Sequence, residues 1–309
     1  MVDSDVRRDG AVAQRDGSVR WRLWAPRARQ VELVLLDGDR RRTVAMQPEN
    51  QGFFHHTEAK IIEGQRYAYR LDGGAERPDP CSLWQPDGVH GPSALVRPEH
   101  FSWTDGDWRG VSRGDLVFYE LHVGTFTPQG TFEAVISRLN DLHELGITAV
   151  ELMPVGQFPG SRNWGYDGVL PYAVQNSYGG PHGLQKLVDA CHAAGLAIFL
   201  DVIYNHLGPE GNYLADFGPY FTDHYKTPWG KAVNYDGPGC DAVRDYVLNN
   251  ARLWLEEFHF DGLRLDAVHA IYDFSARHIL RDVQEVAEKA AHHSGRTLHI
   301  IAESDLNDP

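Results

Sequence analysis

From residue 115 onward the chain repeats one pattern four times, a short, nearly unbroken apolar run, then a longer segment with apolar residues three and four apart, and a fifth apolar run follows. The runs are 116–122, 148–154, 197–203, 263–268 and 298–303. Runs this apolar predict strands buried on both faces, and the amphipathic segments predict helices laid over them, which requires a parallel sheet. Helices are expected over 132–145, 184–194, 241–258 and about 275–292, with Gly146 and Gly195 placed as C-caps. Such a sheet is either open and doubly wound or closed into a (β/α)8 barrel. No Gly-x-Gly-x-x-Gly follows a strand, so the nucleotide-binding fingerprint of the open sheet is missing. Long loops, 156–182 and the irregular stretch up to 239, leave the carboxyl ends of the strands, where a barrel keeps its chemistry. The expected class is α/β, a (β/α)8 barrel of which residues 112–309 hold five of eight strands. That count reads as the front part of a longer polypeptide or one piece of a cleaved one.

Upstream the rhythm is different. Alternating runs at 19–24, 30–36, 51–56 and 66–71, separated by Gly, Pro, Asp and Asn clusters, predict a small antiparallel β-sandwich over 16–98. Residues 1–15 read as a loose terminus, 77–98 as an extended Pro-rich stretch without helix or strand, and 99–111 as a linker.

Composition excludes several function classes. The net charge is −14 and no basic face is evident, so no nucleic-acid partner is expected. No apolar run approaches the roughly 20 residues of a membrane span, and the amino terminus has no apolar signal core, so no membrane partner is expected either. Three scattered cysteines, Cys81, Cys191 and Cys240, suit a reducing cytoplasm and fit neither a disulfide framework nor a zinc site. Eight Trp and 13 Tyr supply many flat amphipathic rings, which fit sugar faces as well as a protein core.

The chemistry concentrates at three strand ends. In Asp261-Gly-Leu-Arg-Leu-Asp-Ala-Val-His269 the period of two puts Leu263 and Leu265 on one face, Arg264 and Asp266 on the other. Charges on the inner face of a core strand are costly unless paired, so they mark a site or a structural ion pair. Asp201-Val-Ile-Tyr-Asn-His206 and Glu303-Ser-Asp305 end two further strands. In a barrel these ends converge, gathering Asp201, His206, Arg264, Asp266 and Glu303. Paired carboxylates without a Ser-His pair or a metal-ligand cluster suggest glycosidic bond cleavage, with neither metal nor cofactor required. Taken singly, Asp201 also suits a turn cap and His206 a satisfied structural histidine. Trp164, Tyr166, Tyr172 and Tyr178 in the 156–182 loop offer stacking surfaces, or pack on the barrel rim.

These residues resemble the α-amylase superfamily of retaining glycoside hydrolases and transglycosidases. Asp201-Val-Ile-Tyr-Asn-His206 is similar to its first motif, Gly262-Leu-Arg-Leu-Asp266 with His269 to its second, and Ala302-Glu303 to its third. Trp24-Ala-Pro26, Pro78-Asp-Pro80, Gln85-Pro86, His90-Gly-Pro92, Glu120-Leu-His-Val-Gly-Thr-Phe126, Asn163-Trp-Gly-Tyr-Asp167 and Glu303-Ser-Asp-Leu-Asn-Asp308 extend the likeness over the whole chain. The resemblance implies Asp266 as nucleophile, Glu303 as general acid/base and Arg264 as orienter of the nucleophile. It further implies Tyr166, His206, Trp164 and His269 as substrate-binding residues, Asp201 as a structural member of the pocket, and an α-glucan as substrate. A branching or debranching activity and a non-catalytic glucan-binding role are the competing readings. The family's fourth motif, a His-Asp pair supplying a third carboxylate, has no counterpart here. The carboxyl-terminal remainder of the same polypeptide is therefore an expected partner, and residues 1–309 alone are expected to be inactive.

Overall fold

A computed structural model describes residues 8–307. Its amino-terminal part contains β1 (Gly10–Ala13), β2 (Val19–Trp24), β3 (Val31–Asp37), β4 (Arg40–Ala45), β5 (Gln47–Pro48), β6 (Phe53–Glu58), β7 (Arg66–Leu71), β8 (Glu76–Arg77) and β9 (Ser93–Ala94). They form two antiparallel sheets, ordered β1-β2-β6-β5 and β4-β3-β7-β8, with β9 also on β7. Alternation builds the core between them: Val19, Trp21 and Leu23 of β2 are buried while Arg20 and Arg22 between them reach Glu49.

Three sequence expectations need correction here. Part of the stretch read as a loose terminus is β1, paired with β2 from Gly10↔Arg22 to Ala13↔Val19; four residues are too few for alternation to show. Residues 1–7 of that stretch lie outside the described residues. The hairpin partner β4 escaped because Arg40-Arg-Arg-Thr43 is an exposed edge strand whose pairing, not its hydrophobicity, defines it. Within 77–98, strand residues exist after all, since β8 and β9 both complete β7.

The second part carries β10 (Phe118–Leu121), β11 (Ala149–Leu152), the hairpin β12 (Gly156–Gln157) and β13 (Leu170–Val174), β14 (Ala197–Val202), the hairpin β15 (Phe221–Thr227) and β16 (Gly230–Val233), β17 (Gly262–Leu265) and β18 (His299–Ala302). The two hairpins lie in stretches expected to be irregular. The main sheet is parallel and runs β10-β11-β14-β17-β18, in strict chain order. A doubly wound sheet would reverse direction partway; a sheet that adds each strand on the same side is the wall of a barrel. Five strands of that wall are present. The helix over 132–145 is two pieces, Phe132–Ile136 and Leu139–Glu144, and the one over 241–258 runs from Cys240–Arg252 into a π-turn at Leu253–Glu257.

Register decides what faces inward. Glu120, Glu151, Phe199, Gly262 and His299 share one level, and Asp201, Arg264 and Ile301 share the level above. Gly262 is needed for close approach: a Cβ there would lie 2.3 Å from Phe199 Cε1 and 2.6 Å from the His299 carbonyl. Leu263 and Leu265 point outward and are buried under the helices.

Residues 103–111, expected as linker, form a strap across the amino-terminal end of the sheet. Trp103 stacks on His259 with centroids 3.9 Å apart, and Trp108 stacks on His192. Trp108 Nε1 donates to Asp261, Thr104 donates twice to Asp189, and Val111 O meets His299 Nε2. At the centre, His192 presents Nδ1 to Asp105 at 2.9 Å and Nε2 to Asp261 at 3.0 Å. Burial alone would lower the His192 pKa, but the two carboxylates outweigh it and raise the value; Asp105, facing His192 and His259, is held low despite its burial. Because the histidine's folded pKa is raised, its stabilisation is complete below its unfolded value near 6.5 and is lost as pH rises through the folded one. The depressed Asp105 sets the acid limit, its contribution vanishing as pH falls below its unfolded value near 3.8. His192→Gln is therefore expected to lower stability by about 2–4 kcal/mol near pH 6. Differential scanning calorimetry should show the gap to wild type narrowing toward pH 9.

Candidate active site

Three adjacent strand ends build the site. Asp201 lies near the end of β14, Asp266 just past β17, and Glu303 just past β18. Arg264 sits between them. Its Nη1 donates to both Asp201 oxygens at 3.0 Å and to Asp266 Oδ1 at 2.8 Å, while Nη2 stands 3.6 Å from Glu303 Oε2. One guanidinium thus bridges two carboxylates and faces a third.

The turn after β17 is shaped for this arrangement. Ala267 adopts φ +42°, a left-handed conformation costing an alanine about 1–2 kcal/mol. That turn directs its N–H to Glu303 Oε2 at 2.8 Å. Strain of this kind persists where surrounding structure imposes it, commonly at functional sites. The Glu303 carbonyl accepts from Val268 N, so the two strand ends are tied at backbone and side chain alike.

Asp201 is 1 % exposed and also accepts the Tyr166 hydroxyl at 2.9 Å. Burial, aided by the Asp266 charge and opposed by Arg264 and Tyr166, leaves its pKa pushed up to about 7. Burial beside Asp201 raises the Tyr166 hydroxyl far above its ordinary value, so Tyr166 serves as a donor. A folded pKa above the unfolded 3.8 means that this group favours folding most in acid and loses that contribution as pH climbs from about 4 to 7. Asp201→Asn removes the titration. Its unfolding free energy relative to wild type is expected to rise by up to about 4 kcal/mol between pH 4 and 8, and a parallel pair of stability–pH curves would contradict this.

His206 is buried, with Nδ1 on Asn205 Oδ1 at 2.8 Å and Nε2 on the Tyr166 carbonyl at 3.0 Å, and burial lowers its pKa. The loop bearing Tyr166 depends on Gly165: its φ is +106°, and a Cβ would lie 2.2 Å from the Pro154 carbonyl.

Sequence reasoning missed Asn205, whose Nδ2 donates to Asp266 Oδ2 at 2.9 Å, and Trp229, whose half-exposed indole stacks on His206 with centroids 4.7 Å apart. Asn205 had a signal, its place beside His206 in a quoted motif. Trp229 had none, because the β15–β16 turn carries it in from 23 residues away. His122, at the end of β10, braces the Tyr166 loop through Asn163 O.

Other expected site residues stand apart from this network. Tyr172 and Tyr178 are core residues, 0 % and 2 % exposed, and offer no stacking surface. An apolar rim under a loop buries such rings more cheaply than solvent holds them. Trp164 is 72 % exposed. His269 pairs with Asp305 at 3.3 Å and makes no hydrogen bond to the Asp201–Arg264–Asp266 triad. Among the described residues no three His, Cys, Asp or Glu side chains are grouped to hold a metal, and no helix is long and apolar enough to cross a membrane.

Comparison with known proteins agrees with this architecture. The family profile "Alpha amylase, catalytic domain" matches residues 95–230, and "Carbohydrate-binding module 48 (Isoamylase N-terminal domain)" matches 10–83. The chain thus resembles an α-amylase catalytic domain over 95–230, preceded by a stretch similar to a carbohydrate-binding module. Its sequence is similar to those of malto-oligosyltrehalose trehalohydrolases: it is 53 % identical to that of Saccharolobus solfataricus over 95 % of this chain and 51 % of the relative. The Arthrobacter ramosus protein of the same name is 48 % identical over 94 % of this chain and 50 % of the relative. A 1,4-alpha-glucan branching enzyme of Geobacillus stearothermophilus is 32 % identical over 83 % of this chain and 44 % of its own length. A crystal structure from Salmonella typhimurium superposes with TM-score 0.90 at 41 % identity, covering 98 % of this chain and 50 % of that one. The chain spans about half the length of the curated relatives it matches.

Proposed function

We propose that the protein to which this chain belongs hydrolyses the α-1,4 bond next to the terminal trehalose unit of maltooligosyl trehalose, releasing trehalose with retention at the anomeric carbon. The observation that carries the reaction class is the Arg264 guanidinium shared by Asp266 and Asp201 and facing Glu303 at neighbouring strand ends. Asp266, paired with Arg264 and aimed by Asn205, attacks the anomeric carbon. Glu303 gives its proton to the departing glycosidic oxygen, so that trehalose leaves and a glycosyl ester on Asp266 remains. Glu303 then takes a proton from water, whose oxygen displaces Asp266 and restores the original configuration. Asp201 and Tyr166 hold Arg264 and the pocket in shape, and His206 under Trp229 presents its ring to the sugar. Protonation and carboxylate attack suffice for this chemistry without a cofactor. The names of the relatives supply the substrate.

The full-length protein, incubated separately with maltotriosyl trehalose and with amylose, tests the reading. Free trehalose is the expected product. New branch points in amylose without trehalose would assign a branching-type transfer through the same carboxylates. Neither product would leave a glucan-binding role.

A further inference from the structure

The loop that follows Asp266 carries a second feature, outside the carboxylate pocket. Tyr272 stacks on Tyr225 of β15 with centroids 5.2 Å apart and planes 14° from parallel, and the Phe274 ring lies 5.6 Å from Tyr225. Phe274 is 77 % exposed, although the loop holding it is clamped. Asp273, between the two rings, is buried on Arg244 and accepts the N–H groups of Ser275 and Ile279. Asp236 Oδ2 accepts both the Tyr225 hydroxyl at 2.7 Å and the Phe274 N–H at 3.0 Å, locking loop to hairpin. A lone exposed apolar side chain needs no explanation. Three contiguous rings on a loop fixed from both sides form a preorganised aromatic surface, and such rings match the C–H faces of a pyranose.

Position gives the surface its direction. The same loop carries His269, whose Nε2 is 3.3 Å from Asp305, two residues beyond Glu303. The proton donor stands beside the departing oxygen, so this loop lies on the leaving-group side of the cleaved bond. The hairpin that carries Tyr225 also carries Trp229 above His206, which joins the aromatic surface to the pocket.

We propose that Tyr225, Tyr272 and Phe274 form a binding shelf for the departing disaccharide, an α-linked pair of glucose units. This rests on the function proposed above and adds which part of the substrate these rings hold. The test uses the full-length enzyme with Phe274→Ala and Tyr272→Ala, and with trehalose and maltotriose as competing ligands. Phe274 is exposed, so its truncation leaves folding intact. The inhibition constant of trehalose is expected to rise roughly five- to twentyfold in both variants, with the inhibition constant of maltotriose unchanged. Trehalose inhibition unchanged in both variants, or weakened equally with that of maltotriose, overturns the shelf. Should the full-length protein form branches and release no trehalose, the proposed function falls. Maltose then replaces trehalose as the ligand, and the same criterion decides the shelf.

Discussion

Asp266→Asn in the full-length protein is expected to lower kcat by roughly 10^4-fold or more while leaving glucan affinity within a few-fold of wild type. The asparagine keeps the side chain's size, and its carbonyl oxygen can still accept from Arg264 Nη1, as Asp266 Oδ1 does at 2.8 Å. Its amide nitrogen would face the Asn205 amide, donor against donor, so a small loss of stability of about 1–2 kcal/mol accompanies the change. The proposed reaction has no substitute for the ester-forming oxygen. Glu303→Gln provides the contrast, because a general acid contributes roughly 10^2–10^4-fold and becomes dispensable when the leaving group is already acidic. An aryl glucoside with a good leaving group should recover the first step in Glu303→Gln and not in Asp266→Asn. Initial rates of sugar release and calorimetric titration with maltooligosaccharide separate the two effects, and an Asp266→Asn enzyme within tenfold of wild-type kcat would dismiss the nucleophile assignment.

Arg264→Met is expected to cost about 3–5 kcal/mol of stability at pH 8, because it leaves the buried Asp201 and the partly buried Asp266 without their shared cation. The pH dependence has a defined sign. Asp201 already titrates near 7, well above its unfolded value; without the guanidinium its folded pKa rises further, so the variant is stabilised as pH falls and weakens as it rises. Thermal unfolding at pH 5 and pH 8 should therefore show a gap to wild type that is small in acid and wide in base. A second substitution distinguishes structure from chemistry: Asp201→Asn added to Arg264→Met removes one of the two opposed charges and should restore much of the lost stability. Activity should stay low, since Asp266 has lost the partner that aims it. Arg264→Lys keeps the charge but cannot span Asp201, Asp266 and Glu303 from one planar group, so partial recovery of stability with poor kcat is expected. Equal melting temperatures for wild type and Arg264→Met at pH 8 would show that the triad contributes nothing.

Much of this architecture is legible in local sequence because its causes are local. The five buried strands announce themselves through apolar runs, and their helices through spacing, so the parallel sheet follows from 116–122 through 298–303 without any tertiary information. The alternation of β2 likewise sets which residues enter the sandwich core. Failures fall where pairing partners, not periodicity, define an element. The edge strand β4 is polar, β1 and β8 are too short for a pattern, and β12–β13 and β15–β16 lie in loops rich in turn residues. The strap at 103–111 has no periodicity at all; its order comes from Trp103, Trp108 and Asp105 meeting His259, His192 and Asp261 across the barrel floor.

The candidate site divides in the same way. Arg264 and Asp266 on the inward face of β17, and polar residues at the ends of β14 and β18, follow from the strand period of two and are determined by sequence alone. Tertiary structure decides that one guanidinium bridges Asp201 and Asp266, that Ala267 turns its N–H to Glu303, that Trp229 covers His206, and that Tyr172 and Tyr178 belong to the core. The physical reason is range. A strand's facing depends on residues two apart, whereas the partner of a buried charge is set by sheet register and loop return, which bring together groups 23 to 63 positions apart in the chain.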